Sequence, residues 1–178
     1  MTALATMLAD HGELTGPDTL RIARLLPGPI ERVWAYLTES ALRRQWLAAG
    51  EMVLEPGTGF ELVWRNDELN ETPGQRPEGF PAEHRMRGQV TAVDAPRRLD
   101  ITWGTASAVR FTLAAQGDQV LLTILHQRLP DRASLLNVSA GWHRHLDMLE
   151  ARATGRPAPD FWSGWQRLKA DYATRLPE

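Results

Sequence analysis

The chain contains no cysteine, which excludes disulfides, thiolate catalysis and cysteine-ligated zinc. It also has no basic block, since 20 Lys and Arg residues are interspersed with 22 Asp and Glu for a net charge of -2. We therefore expect no nucleic-acid partner. No apolar run is long enough to span a bilayer, and the first residues lack the pattern of a signal peptide. These absences predict a soluble, cytoplasmic protein without membrane insertion.

Tryptophan is the residue type that stands out. The 178 residues include seven Trp, against two Tyr and four Phe. A chain of this length can bury the core of one domain, and packing alone rarely needs so many indoles. The composition therefore favours a roomy interior lined by aromatic rings.

The apolar pattern predicts an α+β fold. Alternation indicates strands over 19–26, 60–64, 84–96, 97–104, 108–118 and 119–129, with a short strand and turn over 51–59. Helical spacing and capping residues indicate helices over 27–37, 38–50, 131–155 and 161–176. Short turns between consecutive strands predict an antiparallel meander that buckles around the long helix.

The chain divides into three parts by pattern. We expect a flexible arm over 1–17, a folded domain over 18–155 and a helical extension over 156–178 that packs on the domain. The segment 65–84 carries three prolines and little periodicity, which predicts a long surface loop. Long loops inside compact domains are often lids or disordered.

The histidines of the long helix are candidates for a metal site. His143 and His145 are two residues apart, so they point to different sides of the helix and cannot share one ion. His143 and Asp147 have a suitable spacing, but they lie off the apolar stripe and no third ligand has the matching phase. We expect a solvent-exposed ion pair there and neither a metal nor a cofactor.

Two other histidine positions point inward. His126 shares its strand phase with Leu122 and Ile124, and His145 borders the apolar stripe of the long helix. A hydrogen-bonded core histidine is the expected outcome for each, and a ligand contact or a proton-transfer role is the alternative. Arg24 on the first predicted strand also has the phase of the inward-facing residues. Its charge therefore needs a partner, or its side chain must reach the edge of the interior.

Trp142 lies at the centre of the helical stripe, beside Gly141. That glycine costs the helix about 1 kcal/mol relative to alanine, which favours a close approach by another backbone or a ligand. Two interpretations remain open for the aromatic residues that share the interior. They either form plain core or leave a cavity under a concave sheet; the residues are Trp34, Trp46, Phe60, Trp64, Trp103, Phe111 and Trp142.

Five segments resemble a known family. They read LLPGPIERVWAYLT, RRQWL, RGQVTAVDAPRRLDITWG, GDQVLLTILHQRL and GWHRHLDMLEA. In this order they are similar to the activator of heat-shock-protein-90 ATPase homologue family, within the START-like (SRPBCC, Bet v 1-like) superfamily. The resemblance covers roughly residues 18–155, and its most specific blocks contain Pro29, Val33 and Trp34, and Gly141, Trp142 and Leu146.

The resemblance implies a helix-grip fold, in which a curved antiparallel sheet wraps around a long C-terminal helix and encloses an apolar cavity. Eukaryotic co-chaperones of the family have a further N-terminal domain, and the short arm here argues against a chaperone partner. The helix after Gly155 lies beyond the family core and would cover the cavity mouth or form a homodimer contact. The ligand-binding residues would be Trp34, Phe60, Leu62, Trp64, Met86, Ile101, Trp103, Val109, Phe111, Leu122, Ile124, His126, Val138, Trp142, His145 and Leu146.

Three functions are consistent with these residues. The leading hypothesis is a non-catalytic module that binds a small apolar ligand such as a lipid, polyketide or aromatic compound. The second is a cavity enzyme of cyclase or hydrolase type, with a histidine as general base and Arg24 stabilising an oxyanion. The third is a co-chaperone-like or regulatory interaction module, if Trp162 or Trp165 is exposed.

Overall fold

A computed structural model describes residues 10–178. The strands are β1 (Glu13–Gly16), β2 (Thr19–Pro27), β3 (Gly59–Trp64), β4 (His84–Asp94), β5 (Arg98–Trp103), β6 (Ser107–Gln116) and β7 (Gln119–Gln127). The helices are α1 (Ile30–Thr38), α2 (Ser40–Arg43), α3 (Arg132–Thr154) and α4 (Phe161–Arg175), and a 3-10 turn covers Asn66–Leu69. Apart from β1, which was not predicted, and the short strand over 51–59, which does not form, the strands and helices follow one another as the apolar pattern predicts.

The strands form one antiparallel sheet in the order β1-β2-β7-β6-β5-β4-β3. From β3 to β7 the order follows the chain as a meander, and β2 pairs with β7 at the other end. The segment that contains α1 and α2 therefore crosses from β2 to the far edge of the sheet. This topology, with α3 packed on β2, confirms the predicted α+β helix-grip class.

Strand β4 changes its partner along its length. Its first half pairs with β3, and its second half, from Val90, pairs with β5. Gly88 lies opposite Phe60 near this change, where a side chain would meet the Phe60 ring at 2.5 Å and the Thr102 carbonyl at 2.7 Å. Glycine at this position lets the Phe60 ring fold over the strand into the core.

The two long helices have well-defined ends. The Asp131 side chain accepts a hydrogen bond from the Ser134 amide at 2.7 Å at the start of α3, and Gly155 ends that helix at φ 69°. Asp160 caps α4 through the Ser163 amide at 2.9 Å. Within residues 10–178, none of the helices is long and apolar enough to cross a lipid bilayer.

The second predicted helix is shorter than expected. Helix α2 ends at Arg43, and the predicted strand near residue 51 is reduced to a single bridge between Ala49 and Val63. The cause is the buried Arg43 guanidinium, which donates to the carbonyls of Leu37, Thr38, Ala48 and Gly50. These bonds satisfy the backbone carbonyls of a compact turn, which replaces the rest of the predicted helix. Burial lowers the pKa of Arg43 to about 10.

Part of the predicted N-terminal arm is ordered. Residues 13–16 form β1 at the edge of the sheet, and the two residues before it contact α4. The Gly12 amide donates to the Tyr172 hydroxyl at 2.7 Å, and His11 Nε2 lies 2.6 Å from Asp171. The rest of the predicted arm, residues 1–9, lies outside the described residues.

Candidate functional site

The centre of the space between α3 and the sheet is filled. The Trp142 indole N–H donates to His126 Nδ1 at 3.0 Å, and the Trp142 ring lies 5.2 Å from the Trp103 ring and 5.8 Å from the Phe111 ring. Trp46 is 0% exposed and donates to the Tyr36 carbonyl at 2.9 Å. A void of about 10 Å³ beside Trp46, Trp103 and Phe111 is too small for any ligand.

Many of the predicted ligand contacts lie in this packed region. The void is bordered by Leu62, Ile101, Trp103 and Phe111. Nine others line neither this void nor the larger cavity described next; they are Trp34, Phe60, Val109, Leu122, Ile124, His126, Val138, Trp142 and Leu146. The Phe111 ring meets Trp142 edge-to-face and the Trp103 ring lies tilted against it, which favours plain core for this part of the interior.

Space opens instead at the mouth of the grip, where β3 ends and β4 begins. A cavity of about 430 Å³, here called the mouth cavity, lies against strand ends of the sheet, the middle of α3 and the first turn of α4. Its lining residues are Trp64, Asn66, Gly79, Phe80, Pro81, Ala82, His84, Met86, Trp103, His145 and Trp162. Four of these, Trp64, Met86, Trp103 and His145, are among the predicted ligand contacts.

The roof of the mouth cavity is the segment 65–83, here called the roof loop, together with α4. Phe80 at the tip of the loop is 40% exposed, and its ring lies 5.7 Å from Trp162 and 5.1 Å from Trp165. Asp67 in the same loop accepts from the Trp162 indole N–H at 2.7 Å. Asn70 donates to the Pro159 carbonyl at 2.8 Å. The loop is therefore attached to α4 at its base, and its tip rests on two indoles.

The floor of the mouth cavity is aromatic. The Trp64 ring lies 5.6 Å from the His84 ring and 5.4 Å from the Trp103 ring. Trp103 separates the mouth cavity from the packed centre, because it also contacts Trp142 and lies 5.4 Å from the His126 ring. The sequence pattern identified the sheet residues that form this floor. It missed the roof residues, because Asn66, Phe80, Ala82 and Trp162 lie outside any strand periodicity.

His145 brings a hydrogen-bond acceptor to the mouth cavity. Its Nδ1 lies 2.7 Å from the Trp46 carbonyl, which can only accept, so Nδ1 carries the proton. Burial lowers the pKa of His145 to about 4, against the opposing effect of that hydrogen bond, so the ring is neutral near pH 7. The neutral ring then has its free lone pair on Nε2. The predicted hydrogen-bonded histidine is confirmed at this position.

The structure also pairs His126, but leaves one of its nitrogens without a partner. His126 Nδ1 accepts from Trp142, so the proton of the neutral ring is on Nε2. Burial lowers the pKa of His126 to about 4. Within residues 10–178, Nε2 has no hydrogen-bond partner. This N–H group lies behind Trp103 and apart from the mouth cavity.

His143 Nε2 lies 3.9 Å from Asp147, as the spacing predicts, but the expected solvent exposure of this pair is wrong. His143 is only 6% exposed because α4 covers this side of α3, and its Nδ1 lies 2.9 Å from the Tyr172 hydroxyl. Burial, together with the nearby Arg24 charge, lowers the pKa of His143 to about 4. The residues 10–178 contain no group of three histidine or carboxylate side chains that could hold a metal.

Arg24 is not available as an oxyanion donor. Its guanidinium donates to Asp147 at 3.1 Å and to the Asp10 carbonyl at 2.6 Å. Asp147 also accepts from Arg144 at 3.1 Å. Arg24 is therefore paired with Asp147 between β2 and α3, away from the mouth cavity. The lining of that cavity contains no arginine or carboxylate.

Two further expectations about α3 and α4 are corrected. A side chain at Gly141 would meet nothing within 4 Å, so no backbone comes close there. The close approach is at Gly164, where a Cβ would collide with the Arg144 guanidinium. Trp162 and Trp165 are 4% and 7% exposed, and they pack on their own domain and the roof loop instead of facing solvent.

Comparison with known proteins identifies relatives of this chain. Residues 27–154 match the model of the family described as Activator of Hsp90 ATPase homolog 1-like protein. No curated protein matches the chain. The solution structure of a protein encoded by gene BPP1335 of Bordetella parapertussis is 39% identical, with a TM-score of 0.75 over 94% of this chain and 91% of that one.

Two more distant structures share the fold. CalU16 from Micromonospora echinospora is 22% identical, with a TM-score of 0.64 over 88% of this chain and 86% of its own. DynU16, from the dynemicin biosynthetic locus, is 21% identical, with a TM-score of 0.63 over 83% of this chain and 51% of its own. Because the family model covers most of the chain, this protein belongs to the Activator of Hsp90 ATPase homolog 1-like family.

Proposed function

We propose that this protein binds a small, largely apolar aromatic molecule in the mouth cavity and performs no chemistry on it. The observation that carries the proposal is the cavity of about 430 Å³ between the Trp64 and Trp103 floor and the Phe80 and Trp162 roof. Ligand sites for small molecules commonly have volumes of about 300–1,000 Å³ and apolar, aromatic linings.

The chemistry of the lining supports binding over catalysis. The lining includes no carboxylate, serine or lysine, so it lacks the usual oxygen and amine nucleophiles, and its titratable side chains are His84 and His145. His145 is held neutral and fixed by the Trp46 carbonyl. Aromatic rings on opposite walls favour a flat guest, which would gain stacking contacts on both faces.

A pair of matched substitutions tests the proposal. Ala82 lines the cavity on an exposed part of the roof loop, so Ala82→Trp would fill the mouth without disturbing the core. Val53 is exposed and does not line the cavity, so Val53→Trp is the control. Binding of neutral aromatic compounds with two or three fused rings is measured by equilibrium dialysis.

We expect at least one of these compounds to bind the unaltered protein and the Val53→Trp variant with equal affinity. Ala82→Trp should weaken that binding at least tenfold. Two results would overturn the proposal: no compound binds the unaltered protein, or Ala82→Trp binds as tightly as the control.

A further inference from the structure

Residues 10–12, here called the strap, lie against the second half of α4. The Gly12 amide donates to the Tyr172 hydroxyl at 2.7 Å. His11 Nε2 lies 2.6 Å from an Asp171 carboxylate oxygen. Both contacts join residues that are 160 positions apart in the chain, so they attach the strap to the last helix.

Arg24 on β2 supplies the third contact of the strap. Its guanidinium is 4% exposed and donates to the Asp10 carbonyl at 2.6 Å and to Asp147 at 3.1 Å. The strap residues themselves are exposed or half-buried, so they contribute little apolar burial. Their attachment therefore depends on these polar contacts.

The Tyr172 hydroxyl connects the strap to His143 of α3. It accepts from the Gly12 amide and lies 2.9 Å from His143 Nδ1. Within residues 10–178 it has no other hydrogen-bond partner, so its own proton goes to Nδ1. The neutral His143 ring then carries its proton on Nε2, which lies 3.9 Å from Asp147. This chain of hydrogen bonds requires Nδ1 to be unprotonated.

Charged and titratable groups face His143 or its direct contacts from every element that packs against it. They are Arg24 on β2, Arg144 and Asp147 on α3, Asp171 and Tyr172 on α4, and Asp10 and His11 on the strap. Burial and the Arg24 charge lower the pKa of His143 to about 4, against the opposing carboxylates of Asp147 and Asp10. His143 is therefore neutral near pH 7.

A proton on Nδ1 would break the chain of hydrogen bonds. The Tyr172 hydroxyl would then accept from both His143 and Gly12, and its own proton would be buried without an acceptor. The new charge would also lie near Arg24 and beside His11, whose ring centre is 4.7 Å from that of His143. Helix α4 is held by a buried apolar face packed on α3, so the strap is the element that can leave at the lowest cost.

We propose that the strap is a proton-sensitive latch, in which protonation of His143 releases residues 10–12 from α4 while the sheet and the long helices stay folded. The docked form disfavours the proton, so release becomes more favourable as the pH falls from 6.5, the ordinary pKa of histidine, toward 4. The inference does not depend on ligand binding in the mouth cavity.

Hydrogen exchange of two backbone amides, followed by NMR, tests the latch. The Gly12 amide reports on release of the strap. The Ile124 amide lies in β7, between β2 and β6, on a residue that is 0% exposed, and it reports on unfolding of the whole domain. We expect a protection factor for Gly12 at least tenfold below that of Ile124 at pH 6.5, and a further fall for Gly12 of at least fivefold by pH 5.

Two variants assign the pH dependence to His143. His143→Asn places an amide oxygen near the position of Nδ1 and cannot be protonated, so the fall in Gly12 protection should shrink to less than twofold. His126→Phe is the matched control, because it removes another buried histidine whose pKa is lowered to about 4 and which contacts Trp142 instead of the strap. It should keep the fivefold fall at Gly12.

Three results would overturn the latch. Equal protection of Gly12 and Ile124 at pH 6.5 would show that the strap opens only when the whole domain unfolds. A fall at Gly12 that persists in His143→Asn, or that disappears in His126→Phe, would assign the effect to another group. The comparison of the two amides in the unaltered protein needs no variant, so it stays decisive if His143→Asn fails to fold.

Discussion

The packed centre and the mouth cavity are built from the same kinds of residues but differ in how they are covered. At the centre, Trp46 and Trp142 have their N–H groups satisfied and their rings enclosed. At the mouth, Trp64 and Trp103 present ring surface to about 430 Å³ of space. The turn after α2, held by the Arg43 guanidinium, closes the first region. The second is covered only by the roof loop and the start of α4.

This difference shows that a tryptophan in this fold either packs as core or lines a cavity, according to the element that covers it. Trp46 projects from the turn that itself covers the centre, and its ring fills the space that a ligand would need. The roof loop has no regular pairing with the sheet, and its tip residue Phe80 is 40% exposed. The mouth can therefore accept a guest at lower cost than the centre.

The largest expected effect is on stability at the centre. Trp46→Ala should lower the free energy of unfolding by about 3–5 kcal/mol, because it leaves a large cavity and an unpaired Tyr36 carbonyl. Trp64→Ala should cost clearly less, because one side of that ring already faces the mouth cavity. Urea unfolding of the two variants, followed by circular dichroism, measures the difference. Equal losses would contradict the distinction between the two regions.

The next effect is a pH dependence of stability from the packed histidines. Burial lowers the pKa of His126 from 6.5 to about 4, so between these pH values the unfolded chain is protonated at His126 and the native protein is not. Protonation therefore favours unfolding, and the contribution of His126 to stability falls by about 3 kcal/mol as the pH drops from 6.5 to 4. His143 and His145 should act in the same direction.

The His126→Phe variant tests this pH dependence. Its stability should decline less steeply between pH 6 and pH 4.5, by about 1 kcal/mol per pH unit, when each protein is compared with its own value at pH 7. Asn137→Leu alters an exposed residue without a titratable group and is the control that should keep the original slope. A His126→Phe variant with the same slope as the unaltered protein would show that His126 is not held neutral by burial.

The smallest effect concerns the outer side of α3. Gly141→Ala should raise the free energy of unfolding by about 1 kcal/mol, because the added methyl group meets nothing within 4 Å and alanine favours the helix. Gly164→Ala in α4 is the opposite case, since its Cβ would displace the Arg144 guanidinium from the Asp160 carbonyl. Thermal unfolding should show a gain for the first variant and a loss for the second. A loss for Gly141→Ala would mean that this glycine is needed for a close approach after all.

Sequence patterns were sufficient for the fold and for the direction of most inner side chains. Alternation along Leu99, Ile101 and Trp103 identified β5, and helical spacing placed Trp142 on the inner face of α3. Such patterns report which side of an element faces inward. They carry no information about how closely two facing rings approach, so they could not separate the packed centre from the mouth cavity.

The remaining errors have one physical cause, which is contact between segments that are distant in the chain. The pattern of α3 predicted an exposed His143, because no residue of α3 itself covers that side chain. Tyr172 of α4 packs against it instead. Asn66 and Phe80 belong to a loop without periodicity, so nothing local marked them as cavity wall. The turn after α2 depends on the Arg43 side chain, which donates hydrogen bonds to backbone carbonyls and so stabilises a turn where helix was predicted. Helix propensity does not include such a contact.

The most direct test of the account is the position of a bound aromatic ligand. A crystal of the protein with 6-bromo-2-naphthol would locate the bromine by its anomalous scattering. We predict a peak in the mouth cavity beneath Phe80 and Trp162. A bromine between Trp46 and Trp142, or an empty mouth cavity in a crystal of protein saturated with the ligand, would contradict the account.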